Sequence, residues 1–169
     1  MKFYNVKLLT ITCEILAQKN IIEILKKHEM NDKNIRNKLL PYLKQIISTS
    51  SIIRIYDIHN TIEYNNGNIN QKILNEVLRH KPLSIIIFLS YDGQEKRMRF
   101  NNKVVVKAVG KVPIIFIKKR NKGKIIYHIY QILTELYSRK FEIHFTDDKT
   151  HNLENALNYA KKYDFKITI

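Results

Sequence analysis

IIRIYDIHNTI, residues 52–62, places a carboxylate at the end of an apolar run. Ile52 to Tyr56 reads as a buried strand, rich in the β-branched residues that suit a pleated surface. The run stops at Asp57, and Ile58, His59, Asn60 and Thr61 follow as a loop. An acid at the carboxyl end of a buried strand lies where open α/β sheets bind their ligands. Asp also favours turns on its own account. Asp57 therefore gains meaning only from what the other strands end in.

The same pattern recurs down the chain. LSIIIFL, 83–89, is a second buried strand with Ser90 at its end, followed by Tyr91, Asp92 and Gly93. PIIFI, 113–117, is a third apolar run, and it leads into KKRNKGK, 118–124. FEIHF, 141–145, is a fourth and ends in Thr146-Asp147-Asp148. Between them, 70–80 reads as a helix with Ile73, Leu74, Val77 and Leu78 on its apolar face. Gly123-Lys124 opens a helix over 125–137, 152–163 is another, and 165–169 is a final strand. Strands alternating with helices predict an α/β fold with a parallel sheet. The four polar strand ends then share one sheet edge. Each has a plainer reading: Ser90 closes a strand, one of 23 lysines falls near most helix starts, and an acidic pair can cap the next helix. Adjacent carboxylates nevertheless repel unless a cation stands between them and another acid.

Asp57-x-x-x-Thr61, Ser90, the lysines of 118–124 and FTDDKTHNLENA together resemble the four motifs of the haloacid dehalogenase-like (HAD) phosphatase superfamily. The likeness is in residue type, order and position, covers about residues 52–169, and is greatest to compact magnesium-dependent phosphatases. The resemblance implies a three-layer Rossmann-like core with a mainly parallel sheet over 51–169. It implies that Asp57 attacks phosphorus to give an aspartyl-phosphate. Ser90 and Lys124 would hold the phosphoryl oxygens, with Lys122 as second choice for the lysine and Tyr91 as a further phosphate-binding candidate. Mg2+ would be held by Asp57, the backbone carbonyl of His59, and Asp148, with Asp147 assisting. In that family the residue two after the nucleophile is usually a second Asp, which protonates the leaving group and activates water. Here it is His59, whose ordinary pKa near neutrality suits either task. The substitution keeps a second reading open: a domain that has lost catalysis and serves as a basic nucleic-acid-binding or structural module.

The remaining segments carry no such motif. EYNNGNIN, 63–70, is a polar turn or hairpin around Asn66-Gly67, where the resembled fold has a small flap. Small-capped members of that superfamily tend to act on large substrates, so the resemblance implies a cleft that a polymer can reach. Residues 1–50 are expected to form a mostly helical extension packed on the core. VKLLTIT, 6–12, is read either as a strand or as the opening of the next helix. Ile15, Leu16, Ile21, Ile22, Ile24 and Leu25 recur with helical spacing. Asn31 or Asp32 caps a second helix, with Pro41 kinking or dividing it before Leu43. Residues 94–100 read as a basic helical segment and 103–108 as a short strand or helix.

Composition bounds the partners. The chain of 169 residues carries 30 Lys+Arg against 15 Asp+Glu, a net charge of +15. Such a charge attracts polyanions, nucleic acid first among them. Residues 111–140 hold eight Lys and Arg against the single acid Glu135. Lys outnumbers Arg 23 to 7, and Ile, Asn and Lys dominate. That is also the bias of an A/T-rich genome such as a viral or organellar one, so drift and a functional basic surface both account for the charge. No run approaches a membrane span, no leader peptide is read, and the lone Cys13 excludes an internal disulfide. The expected setting is the cytoplasm or another reducing compartment. The expected ligand is a phosphorylated substrate, nucleic acid included.

Overall fold

Strands form in this chain where β-branched and aromatic residues run together. They are β1 (Ile21–Ile24), β2 (Ile52–Tyr56), β3 (Ile85–Tyr91), β4 (Ile114–Ile117), β5 (Glu142–Thr146) and β6 (Ile167–Thr168). The helices are α1 (Asp32–Leu43), α2 (Gln71–His80), α3 (Lys103–Val109), α4 (Lys122–Tyr137) and α5 (Thr150–Tyr163). The computed structural model describes residues 21–24, 30–91 and 103–169. The strand or helix expected at 6–12 and the basic segment 94–100 lie outside them, as do Cys13, Ile15, Leu16 and Leu25.

The strands order as β1-β4-β3-β2-β5-β6, and every described pairing is parallel. Parallel neighbours need a crossover, and the helices supply it. From β2 the chain steps outward through α2 and β3 to α3 and β4. It then returns through α4 to β5 on the other side of β2, and α5 leads to β6. The direction of winding thus reverses between β2 and β5. At that reversal the strands' carboxyl ends open a crevice.

Period-two alternation divides the sheet into two apolar faces. Ile53, Ile55, Ile85, Ile87, Leu89, Ile115, Ile117, Ile143 and Phe145 pack with α1, α4 and α5. Tyr56, Ile86, Phe88, Ile114 and Phe116 pack with Leu74 and Val77 of α2 and Val105 and Val109 of α3. The result is a three-layer α/β arrangement. Among the described residues no helix is long and apolar enough to cross a membrane.

Several expectations are corrected. Ile21, Ile22 and Ile24 belong to a strand, not a helix: β1 runs beside β4 in the sheet, pairing Ile21 with Ile114 and Ile24 with Ile117. Tertiary pairing overrides a spacing that also fits a helix. The described part of residues 1–50 is therefore a sheet strand plus one helix, rather than a separate helical layer. Asn31 caps α1, its side chain accepting from Asn34 N at 2.9 Å. The helix passes through Pro41 and ends two residues later at Leu43, because Pro removes only one late bond there. β3 runs on to Tyr91, so Ser90 lies inside the strand rather than beyond it. Residues 103–109 are helical. Asn66-Gly67 does form a turn: Gly67 has φ 81°, Gly67 N donates to Tyr64 O at 2.9 Å and Tyr64 N to Asn68 O at 2.8 Å.

α4 and α5 approach closely at Gly123. A Cβ there would lie 2.6 Å from the carbonyl oxygen of Asn155 and 2.7 Å from the Tyr159 ring. The Gly123 N–H donates to Asn155 Oδ1 at 2.7 Å in that gap. Gly123→Ala is therefore expected to destabilise the fold by ~1–3 kcal/mol through overpacking, measured by urea unfolding. A cost near zero would show that the two helices separate freely.

Candidate functional site

The β2–β5 register builds the site. Tyr56 pairs with Thr146, and Asp57 N donates to Thr146 O at 2.9 Å, carrying the pairing one residue further. The next side chains on the two strands, Asp57 and Asp147, are thereby brought together at the winding reversal. α4 then delivers a cation to them. Its cap is Asn121, whose side chain accepts from Lys124 N at 3.2 Å. Lys122 is the first helical residue, and its Nζ donates to Asp57 Oδ1 at 2.6 Å and Asp147 Oδ2 at 2.5 Å. Lys122 is 2% exposed, and the Phe145 ring centroid lies 6.0 Å from its ammonium.

Lys124, the lysine favoured from sequence, is elsewhere. Its Nζ donates to Met30 O at 2.8 Å and pairs with Asp32 at 3.0 Å, at the start of α1. Residues two apart on a helix point about 200° apart, so only one of the two lysines can face the carboxylates. The helix begins at Lys122, three residues earlier than sequence spacing suggested, and that start selects Lys122.

Asp147 is held from every side. Lys149 N donates to its Oδ1 at 2.8 Å, and Asn152 Nδ2 reaches Oδ1 at 3.0 Å and Oδ2 at 3.1 Å. Its side chain is fully buried. Asp148 is the more open of the pair, 3.1 Å from Lys149 Nζ. Asp57, Asp147 and Asp148 each offer an oxygen within 4.8 Å of the others. Burial pushes the Asp57 carboxyl above its ordinary range; the Lys122 ammonium pulls it back, and the Asp147 charge adds to the push. Two ammoniums, Lys122 and Lys149, stand among three carboxylates, so the ionised cluster keeps a net negative charge. An all-oxygen donor set with excess negative charge is the chemistry a hard cation requires, so the cluster could hold a metal ion.

The loop after Asp57 is tightly folded. Asn60 adopts φ 59°, a region Asn tolerates better than most residues. Thr61, Ile62 and Glu63 all turn their N–H groups to Ile58 O. Thr61 Oγ1 stands 3.5 Å from Asp57 Oδ2, at the limit of a hydrogen bond. A cavity of about 180 Å³ opens over this loop, lined by Asp57, His59, Tyr91, Arg120, Lys122 and Asp148 among others. Among the described residues, His59 Nε2 is buried without a hydrogen-bond partner. Ser90 is fully buried, and its Oγ likewise has no partner. It does not line the cavity, whereas its neighbour Tyr91 does. A larger cavity, about 670 Å³, lies at the amino-terminal edge of the sheet beside Ile85, Val112 and Tyr137. Its described lining has neither acid nor histidine, whereas the smaller cavity has both.

Sequence reading gave no role to Arg120, Asn152, Asn121 or Asn155. Asn152 was visible as the Asn of DD-x-x-x-N, but a hydrogen bond to the first Asp is a geometric fact that spacing alone does not reveal. Arg120 was only one cation in a basic run.

Compared with protein-family models, curated proteins and solved structures, the chain matches none of them.

The buried charges generate paired predictions. Lys122→Met leaves Asp57 and Asp147 without their counter-ion and should cost ~3–5 kcal/mol. Lys124→Met breaks a half-exposed pair and should cost ~1 kcal/mol or less. Asp57→Asn removes one of two buried like charges and should raise the melting temperature in EDTA. Thermal unfolding of the three variants checks the order, and equal losses for the two lysines would refute it.

Proposed function

We propose that this protein is a magnesium-dependent, HAD-like phosphatase, a phosphoric monoester hydrolase, with Asp57 as nucleophile. The observation that carries this reading is the Lys122 ammonium shared between Asp57 and Asp147 beside Asp148, at the sheet's winding reversal. A phosphate-transfer site needs an oriented nucleophile and positive charge for the phosphoryl oxygens. Lys122 supplies both, keeping Asp57 aimed while its charge faces the cavity. The role assigned by resemblance to Lys124 thus passes to Lys122.

Asp57 and Asp148, with the backbone carbonyl of His59, would hold magnesium, and Asp147 would act by holding Lys122. The bound ion would supply charge neutralisation on the phosphoryl oxygens. An Asp57 oxygen attacks phosphorus, the bond to the leaving oxygen breaks, and that oxygen takes a proton from His59. Water then attacks phosphorus of the aspartyl-phosphate. Its proton passes to His59, and the bond to Asp57 breaks, releasing phosphate. In support of this role, His59 lines the cavity, and among the described residues its Nε2 has no hydrogen-bond partner. Such acid–base help is worth ~10²–10⁴-fold.

The second reading, a non-catalytic basic module, draws on the +15 charge and on His59 in place of an acid. One assay separates them: phosphate release from p-nitrophenyl phosphate with magnesium or EDTA, using wild type, Asp57→Asn, Lys122→Met and Lys124→Met. Magnesium-dependent release should vanish in Asp57→Asn and fall by ~10²-fold or more in Lys122→Met. Lys124→Met should stay within about threefold of wild type. Turnover that survives Asp57→Asn, or no turnover from a folded wild type, would turn the reading toward the module.

A further inference from the structure

The cavity over Asp57 is too small to enclose most phosphorylated molecules. Sites that surround a whole ligand run roughly 300–1,000 Å³, against about 180 Å³ here. It admits a phosphoryl group and its first linking atoms, and the rest of the substrate lies outside on the rim. That rim is basic. Arg120 from the β4–α4 loop, with Lys149 and His151 from the approach to α5 and its first turn, line the opening and are exposed. Among the described residues no acid lines it besides Asp57 and Asp148. Lys149 is already balanced by Asp148 at 3.1 Å. Among the described residues Arg120 has no ion-pair partner; its guanidinium lies 5.5 Å from the centroid of the half-buried Tyr91 ring.

On the premise that the site is a phosphatase, we propose that its substrate is the phosphorylated end of a nucleic-acid strand. The terminal monoester enters the cavity toward Asp57. The adjoining phosphodiester is held outside by Arg120 and His151, and Tyr91 offers a face beside them for the terminal base. Stacking on an aromatic and charge pairing along the backbone are how single strands are held without sequence preference. A phosphopeptide would present one phosphate to the cavity and leave Arg120 and His151 without a charge to meet. A strand repeats its charge, and the chain as a whole carries a net charge of +15.

The test compares kcat/KM for 5′- and 3′-phosphorylated oligonucleotides, a phosphoserine peptide and p-nitrophenyl phosphate over a range of salt. The expected result is a preference of at least ~10-fold for an oligonucleotide, lost as salt rises. Arg120→Ala and His151→Ala should each lower the ratio of oligonucleotide to p-nitrophenyl phosphate kcat/KM several-fold. Arg120→Ala should also reduce the salt slope by about one. Equal use of all substrates, preference for the peptide, or a ratio unmoved by both substitutions overturns the proposal. Binding by the Asp57→Asn variant, read by fluorescence anisotropy, separates this from the phosphatase reading. If no substrate is turned over but phosphorylated strands still bind more tightly than unphosphorylated ones in an Arg120-dependent way, end recognition stands and catalysis falls. If p-nitrophenyl phosphate is hydrolysed through Asp57 without any strand preference in rate or binding, the opposite holds.

Discussion

An ammonium held between two buried carboxylates is the constraint around which this molecule is arranged. Lys122 Nζ lies 2.6 Å from Asp57 and 2.5 Å from Asp147, with almost no access to solvent. Any of the three left alone in that environment would cost several kcal/mol. The surroundings are therefore specific: Asn152 and the Lys149 N–H fix Asp147, Asn121 sets where α4 begins, and Gly123 lets α4 lie against Asn155. The cluster still carries more negative than positive charge. Such a surplus is one that a hard cation could neutralise.

The sheet topology explains why these groups meet. β2 and β5 are neighbours only because the chain crosses back over the sheet after β4. Their parallel register brings the first residue after each strand side by side. Polar groups that would be costly inside the sheet stand at its rim, where the strands end and hydrogen bonding to loops and helix starts can satisfy them. The two faces below remain apolar.

Much of this is legible in the sequence. Apolar runs bounded by turn residues locate β2 to β5, and their alternation with helical patterns gives the parallel sheet. Asp57, Asp147 and Asp148 are legible because a carboxylate directly after a buried strand has one place to go. Lys122 is not separable from Lys124 by composition, since the choice depends on where one helix starts, and Asn121 as cap decides it. β1 is missed because four residues with three isoleucines satisfy both periods; only the exposed edge of β4 selects the extended form. The apolar run 83–89 puts Ser90 just beyond its strand, whereas strand ends are set by pairing partners that one segment cannot disclose. The oxygen-to-nitrogen distances that distinguish Asp147 from Asp148 belong to the folded state alone.

The separation of the site residues along the chain has a further consequence. Asp57 is 65 positions from Lys122, and Lys122 is 25 from Asp147. Three complete crossovers must be laid down before β5 can dock beside β2, and such distant pairing is slow to form. While the chain is being synthesised, Asp57 emerges long before the residues that neutralise and orient it. No early fragment contains the assembled cluster. The three charges therefore meet only once the last third of the chain has arrived and β5 has paired with β2.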